Sequence, residues 1–160
     1  MLQTVTDLLE KTVMQVPYVE KLLAIKGVGL ITVAGFIAEV GDIRRFTSPK
    51  QIQKLAGLSL KENSSGKHKG RTTISKRGRK RLRRILFQVV LPLIRSNQEF
   101  RDVYQYYTTR IQKPLKGKQA IIAVGCKLIR VFYALLTKGT DYDAGKLSSD
   151  IIRPEARNAA

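Results

Sequence analysis

Acidic residues are scarce in this chain: 12 Asp and Glu stand against 30 Lys and Arg over 160 residues, a formal charge of +18. Cysteine and histidine are scarcer still, with one of each, Cys126 and His68. A single cysteine cannot close an internal disulfide, and one Cys with one His cannot make a zinc set. Set in an apolar stretch, Cys126 reads as a small buried hydrophobe. The acids are dispersed, at Asp7, Glu10, Glu20, Glu39, Asp42, Glu62, Glu99, Asp102, Asp141, Asp143, Asp150 and Glu155. Nothing resembles the converging carboxylates that metal-assisted phosphoryl transfer draws on, so no metal site and no cofactor is expected on this chain. No stretch reaches the roughly eighteen apolar residues of a membrane span. The N-terminus, Met1 to Asp7, has neither the basic start nor the apolar block of a secretory signal. A cytoplasmic protein without a membrane partner is expected.

What is abundant is positive charge. Uncompensated cations repel one another in the folded state, so a chain with an isoelectric point near 10.4 is matched to a polyanion, with nucleic acid the leading partner. An anionic membrane fits less well, because the cations gather in a loop and at a helix start rather than along a broad apolar face. At 18.0 kDa the chain is long enough for one domain with a real core.

The apolar spacing is helical nearly throughout. Leu2, Val5, Leu8, Leu9, Val13 and Val16 predict a first helix that Pro17 ends, a connector over residues 1–17. Val19, Leu22, Leu23 and Ile25 start a second. Gly27-Val28-Gly29 breaks the pattern before Leu30 to Val40 resumes it, and Gly41 supplies a stop. Ser48 before Pro49 predicts an N-cap and a short helix closed by Gly57. From about Ser59 to Ile74 periodicity vanishes, leaving a glycine-punctuated loop or β-hairpin. Leu82 to Ile94 then forms the cleanest amphipathic stripe, kinked by Pro92. Phe100 to Ile111 lines another helix, and Ala120 to Leu136, apolar nearly all round, predicts the central buried helix. The expectation is an all-α, compact multi-helix domain over 18–142, followed by a polar, loose tail over 143–160.

Three stretches carry candidate chemistry. Ile25-Lys26-Gly27-Val28-Gly29, between two apolar helices, looks like a helix-hairpin-helix, in which glycines bring backbone N–H groups at a helix start close to a phosphate. A plain tight turn explains Gly27 and Gly29 equally well. The second stretch packs Lys67, Lys69, Arg71, Lys76, Arg77, Arg79, Lys80, Arg81, Arg83 and Arg84 into eighteen residues with no acid near in sequence. That density points to nucleic-acid contact rather than to an ordinary solvated face. Gly70 and Gly78 would let the backbone follow a groove. No aromatic interleaves the run, so phosphate positioning is its expected mode, not base stacking. The third is Ser64-Ser65, before Gly66. Serines beside glycine are ordinarily turn residues. As a nucleophile either would need a base or metal to take its proton and nearby cations; the cations are present, but no base is evident, and His68, three residues on, reads first as an ordinary loop histidine.

In order, "LLAIKGVGLITVAGFIAEVGDIRRF", "SPKQIQKLAGL", "SSGKHKGRTTISKRGRKRLRR" and "KGKQAIIAVGCKLIRVFYALLTKG" resemble the C-terminal transposase domain of the IS110/IS116/IS902 family, related to the pilin-gene invertases. The resemblance covers about Leu22 to Tyr142, and the spacing of Lys76, Gly78, Leu82 and Arg83 also matches. Leu60 stands where proline is common and Val33 where alanine is common.

The resemblance implies a site-specific DNA recombinase of two parts. A RuvC-like domain, absent from this chain, would carry a DEDD set binding Mg²⁺. The part resembled here would supply a serine nucleophile, Ser65 with Ser64 as fallback, that attacks DNA and forms a phosphoserine link. The family resemblance also implies a structured bridge RNA as guide, and action as a homo-oligomer in which metal and nucleophile meet across subunits. Bottom-up, a non-catalytic helix-hairpin-helix binding module remains the main rival, and a structural protein without nucleic acid the third reading.

Overall fold

A computed structural model of the chain describes residues 2–61, 64–65, 68–69 and 72–156. Among them are the helices α1 (Leu2–Val13), α2 (Val19–Leu23), α3 (Leu30–Val40), α4 (Pro49–Leu55), α5 (Lys80–Ser96), α6 (Gln98–Thr109), α7 (Gly117–Lys138) and α8 (Ala144–Ala156). A 3-10 turn, Ile43–Arg45, follows α3. Between α4 and α5 lie two short antiparallel ladders, β1 (Leu60–Lys61) with β4 (Thr73–Ile74), and β2 (Ser64–Ser65) with β3 (His68–Lys69). The fold is all-α with a small hairpin in the basic segment, as the periodicity indicated.

The core is built around α7, where Ala120, Val124, Leu128, Ile129 and Phe132 are fully buried against α2, α4, α5 and α6. Phe132 meets Phe36 of α3 edge to face, ring centroids 5.0 Å apart, the geometry that ring quadrupoles favour. By length and composition α7 could cross a membrane, contrary to the expectation that no stretch qualifies; half of its apolar window is buried within the protein. Packing from several sides makes an all-round apolar helix, and the sequence criterion cannot separate that from lipid.

α3 and α5 run antiparallel. Gly27, just before α3, lies against Leu93 and Ser96 near the end of α5. Gly35 lies against Ile85, and Glu39 reaches Arg79 at the start of α5. A methyl on Gly35 would come 2.8 Å from Ile85 Cδ1, so this glycine lets the two helices close on each other. The α5 stripe of Leu82, Leu86, Val89, Val90 and Leu93 is buried, and the helix continues through Pro92 to Ser96. Asn97, 2% exposed, ends it. Its Oδ1 accepts from the Glu99 and Phe100 N–H groups at 3.2 and 3.3 Å, capping α6, while its Nδ2 donates to Lys26 O at 2.9 Å. One side chain thus ties the α2–α3 turn to the α5–α6 corner.

Two local expectations change. Ser48 occupies the N-cap position of α4, with Pro49 following, but makes no capping bond; Gln51 Oε1 accepts from Thr47 N–H instead, at 2.8 Å. The tail expected to be loose forms α8, started by Asp143 Oδ1 accepting from Gly145 N–H at 2.8 Å. Leu147 is buried there and Ile151 half-buried, seating α8 on α6. Two apolar residues four apart are too short a stripe to stand out in a polar sequence.

Candidate nucleic-acid interface

The basic segment enters and leaves through a fixed crossing of α4 and α5. Past the end of α4 the chain turns at Gly57, φ +73, and the returning limb passes it at Gly78, φ +142. A methyl on Gly78 would overlap Leu55 O and stand 2.8 Å from Gly57 N; one on Gly57 would stand 2.6 Å from Arg83 Nη1. Both φ values lie where glycine is favoured. Three backbone bonds close the crossing: Ser75 N–H to Ser59 O at 2.8 Å, Lys76 N–H to Gly57 O at 3.0 Å and Arg79 N–H to Leu55 O at 2.7 Å. Gly78 is therefore needed for close approach within the protein.

Arg83 belongs to this crossing. Half-buried, its Nη1 donates to Ala56 O at 3.1 Å and Lys76 O at 3.4 Å. Lys76 supplies that carbonyl from a left-handed backbone, φ 55, and Leu82 beneath is fully buried. The four-residue spacing Lys76, Gly78, Leu82, Arg83 thus has an architectural basis. Arg79 is also engaged, 3.5 Å from Glu39 Oε2; no acid is near it in sequence, and α3 brings one in space.

Lys76, Arg77, Lys80, Arg81 and Arg84 have exposed side chains, and no ion pair with them occurs among the described residues. Lys80 and Arg84, four apart, share a helix face. Around them the first turn of α5 has no acid, and its N-cap, Arg79, makes no side-chain capping bond. Cations here add to the positive end of the helix dipole, an arrangement that costs stability. The same sum of charge and unbonded N–H groups suits an anion. Lys67 and Arg71 lie outside the described residues; Lys69 is placed by its backbone in β3.

The turn holding Gly27 and Gly29 lies at the other end of the α3·α5 pair. α5 spans about 25 Å at 1.5 Å per residue, so the turn and the basic cluster are not brought together. Gly27, φ +98, is committed to α5, where a methyl would stand 2.8 Å from Ser96 Oγ. Gly29 caps α3 with nothing within 4 Å of an added methyl.

For Ser65 and Ser64 the backbone pairing is described: Ser65 stands opposite His68, and Ser64 opposite Lys69. This ladder is offset by one residue from β1·β4, two residues separating them on the outgoing side and three on the return. No group of three or more His, Cys, Asp or Glu able to hold a metal occurs among the described residues. Cys126 is half-buried, and that burial pushes its thiol above its usual range.

One basic surface escaped the sequence reading. The α6–α7 turn carries Arg110, Lys113, Lys116 and Lys118, and no acid occurs from Val103 to Thr140. That acid-free run was the available signal.

Comparison with known proteins gives the setting. The family model described as "Transposase IS116/IS110/IS902 family" matches residues 19–105, from α2 through the basic cluster into α6. A probable family 20 transposase of Pseudomonas aeruginosa is 28% identical over 79% of this chain and 38% of its own length. The transposase for insertion sequence element IS1111A of Coxiella burnetii is 29% identical over 79% of this chain and 35% of its own. The pilin gene-inverting protein of Moraxella bovis is 31% identical over 76% of this chain and 38% of its own. The chain thus spans well under half the length of these relatives. With more than half of its residues matched by that model, the chain belongs to the IS116/IS110/IS902 transposase family.

Proposed function

We propose that this chain is the DNA-contacting, nucleophile-bearing C-terminal part of a site-specific DNA transposase. One observation carries the reading: five exposed cations, Lys76, Arg77, Lys80, Arg81 and Arg84, without carboxylate partners among the described residues, surround the start of α5 in a transposase-family chain. Charges that oppose the helix dipole and join no internal pair are a cost to the fold that a bound phosphate backbone would reverse. In this reading the cluster positions the backbone and neutralises charge developing at phosphorus.

Ser65, with Ser64 as fallback, is the proposed nucleophile. Its Oγ–P bond forms as the P–O bond to one deoxyribose breaks. The serine proton passes to a base, and the departing oxygen takes one up. The register of Ser65 against His68 makes His68 the first group to test as that base. Mg²⁺ would be held by a RuvC-like domain outside this chain, with a homo-oligomer bringing the two parts together. A structured guide RNA is a further proposed partner, and the nucleoid in the cytoplasm the place of action. The chain by itself is expected to bind DNA without cutting it.

The second reading, a non-catalytic helix-hairpin-helix module, draws on the open space at Gly29. Combining this chain with its RuvC-like domain, Mg²⁺ and target DNA separates the two. The nucleophile reading expects a covalent protein–DNA adduct, mapped by mass spectrometry to Ser65 and lost in Ser65→Ala. An adduct that survives in both Ser65→Ala and Ser64→Ala, or the absence of any adduct while binding persists, favours the module.

A further inference from the structure

The α6–α7 turn is built rather than slack. Arg110 N–H donates to Tyr106 O at 2.9 Å and Leu115 N–H to Tyr107 O at 2.8 Å. Arg110 Nε donates to Lys113 O at 2.9 Å, and its guanidinium lies 5.7 Å from the centre of the Tyr107 ring. Lys113 holds a left-handed backbone, φ 50, and Lys116 N–H donates to Gln119 Oε1 at 2.9 Å. On this frame Ile111 is 95% exposed. A branched apolar side chain held in water by a hydrogen-bonded turn contributes nothing to the core. Here it stands among cations with no carboxylate nearby in the chain: Lys113, Lys116 and Lys118 are exposed beside it.

An apolar wedge flanked by Lys and Arg suits a duplex whose phosphates bracket a groove of stacked bases. A bilayer fits poorly, because a lone isoleucine offers little apolar area for anchoring. We propose that the α6–α7 turn is a second DNA contact, in which Ile111 enters the groove against the base pairs while Lys113, Lys116 and Lys118 hold phosphates beside it. This inference rests on the DNA-binding reading above and adds to it a site that distorts the duplex.

The test measures binding of the full chain to a mixed-sequence DNA duplex carrying 2-aminopurine, whose fluorescence rises when its neighbours unstack, across a salt series. Ile111→Ala should weaken binding about tenfold with an unchanged salt slope, and abolish the fluorescence rise at saturation. Lys113→Ala/Lys116→Ala/Lys118→Ala should reduce the slope of log K against log salt by about 2 to 3 and keep the rise at saturation. Unfolding of all these variants should match the unaltered chain, since the residues replaced are exposed. A comparison variant, Lys80→Ala/Arg81→Ala/Arg84→Ala, keeps the two readings apart. If it loses binding while both turn variants behave like the unaltered chain, the second contact is overturned and the first stands. No duplex binding by the unaltered chain overturns both. Ile111-dependent binding to phosphatidylserine vesicles, with DNA binding indifferent to Ile111, overturns the DNA contact in favour of a membrane.

Discussion

At the two ends of α5, glycine does the same work and charge does not. At the N-terminal end Gly57 and Gly78 interlock so that the limbs of the basic segment cross in contact, and five cations remain outside that crossing in solvent. At the C-terminal end Gly27 packs on Leu93 and Ser96, less tightly. There the cations are fewer: Lys26 and Arg95 are exposed, while Arg101 turns its guanidinium onto the Ile94 and Arg95 carbonyls. Gly57, Gly78 and Gly27 therefore report packing, and what sets the N-terminal end apart is its greater number of exposed cations, five against two; in the proposed reading these hold the polyanion.

The sharpest way to break that comparison is to remove the charge at each end separately. Lys80→Ala/Arg81→Ala/Arg84→Ala should lower duplex affinity about 10²- to 10³-fold near 0.1 M salt, with the salt slope reduced by about 3. Lys26→Ala/Arg95→Ala should change affinity by less than about 5-fold. Equal losses in fluorescence anisotropy titrations would erase the distinction.

The glycines give the next largest effects, read by urea unfolding. Gly78→Ala puts a methyl into Leu55 O from a backbone that L-residues avoid, and should destabilise by about 3 kcal/mol or more. Gly27→Ala meets the movable Ser96 hydroxyl from a similarly strained φ, and should cost about 2 kcal/mol. Gly29→Ala has open space and should cost about 1 kcal/mol at most, as a change of N-cap. A large loss at Gly29 would show that its turn is packed after all.

The smallest expected effect concerns pH. Tyr142, stacked on Phe100 with no hydrogen-bond partner for its hydroxyl among the described residues, has its ionisation pushed up to about 12, first by burial and then by Glu99 and Asp143. Its folded value lies above the unfolded one of about 10. The neutral form is thus favoured in the native state, and the associated stability is complete below about pH 10 and lost as pH rises through 12. Tyr142→Phe removes that contribution to alkaline destabilisation. Because it also removes a buried hydroxyl left without a hydrogen bond, the variant should melt at or slightly above the parent at pH 8 and several degrees further above it at pH 11. Identical curves at both pH values would show that the phenol is solvated.

The helices were legible because long stripes carry their own period: Leu82 to Leu93 announces α5, and Ala120 to Leu136 announces the central helix. The crossing was not legible, since it depends on Gly57 meeting Gly78 and Glu39 meeting Arg79, contacts made across 21 and 40 residues of sequence. Local chemistry cannot say whether a glycine faces a ligand or a neighbouring helix, nor whether an arginine such as Arg83 reaches solvent or a carbonyl. The α6–α7 turn was missed for another reason: its cations are spread over nine residues, and only the missing acids around them make them conspicuous.

Lysine acetylation of the full chain with and without duplex DNA, read residue by residue in a mass spectrometer, tests most directly which end of α5 holds the polyanion. The account predicts protection of Lys76 and Lys80 by DNA, with Lys26 modified at its unbound rate. Protection of Lys26 with Lys76 and Lys80 still fully reactive would contradict it.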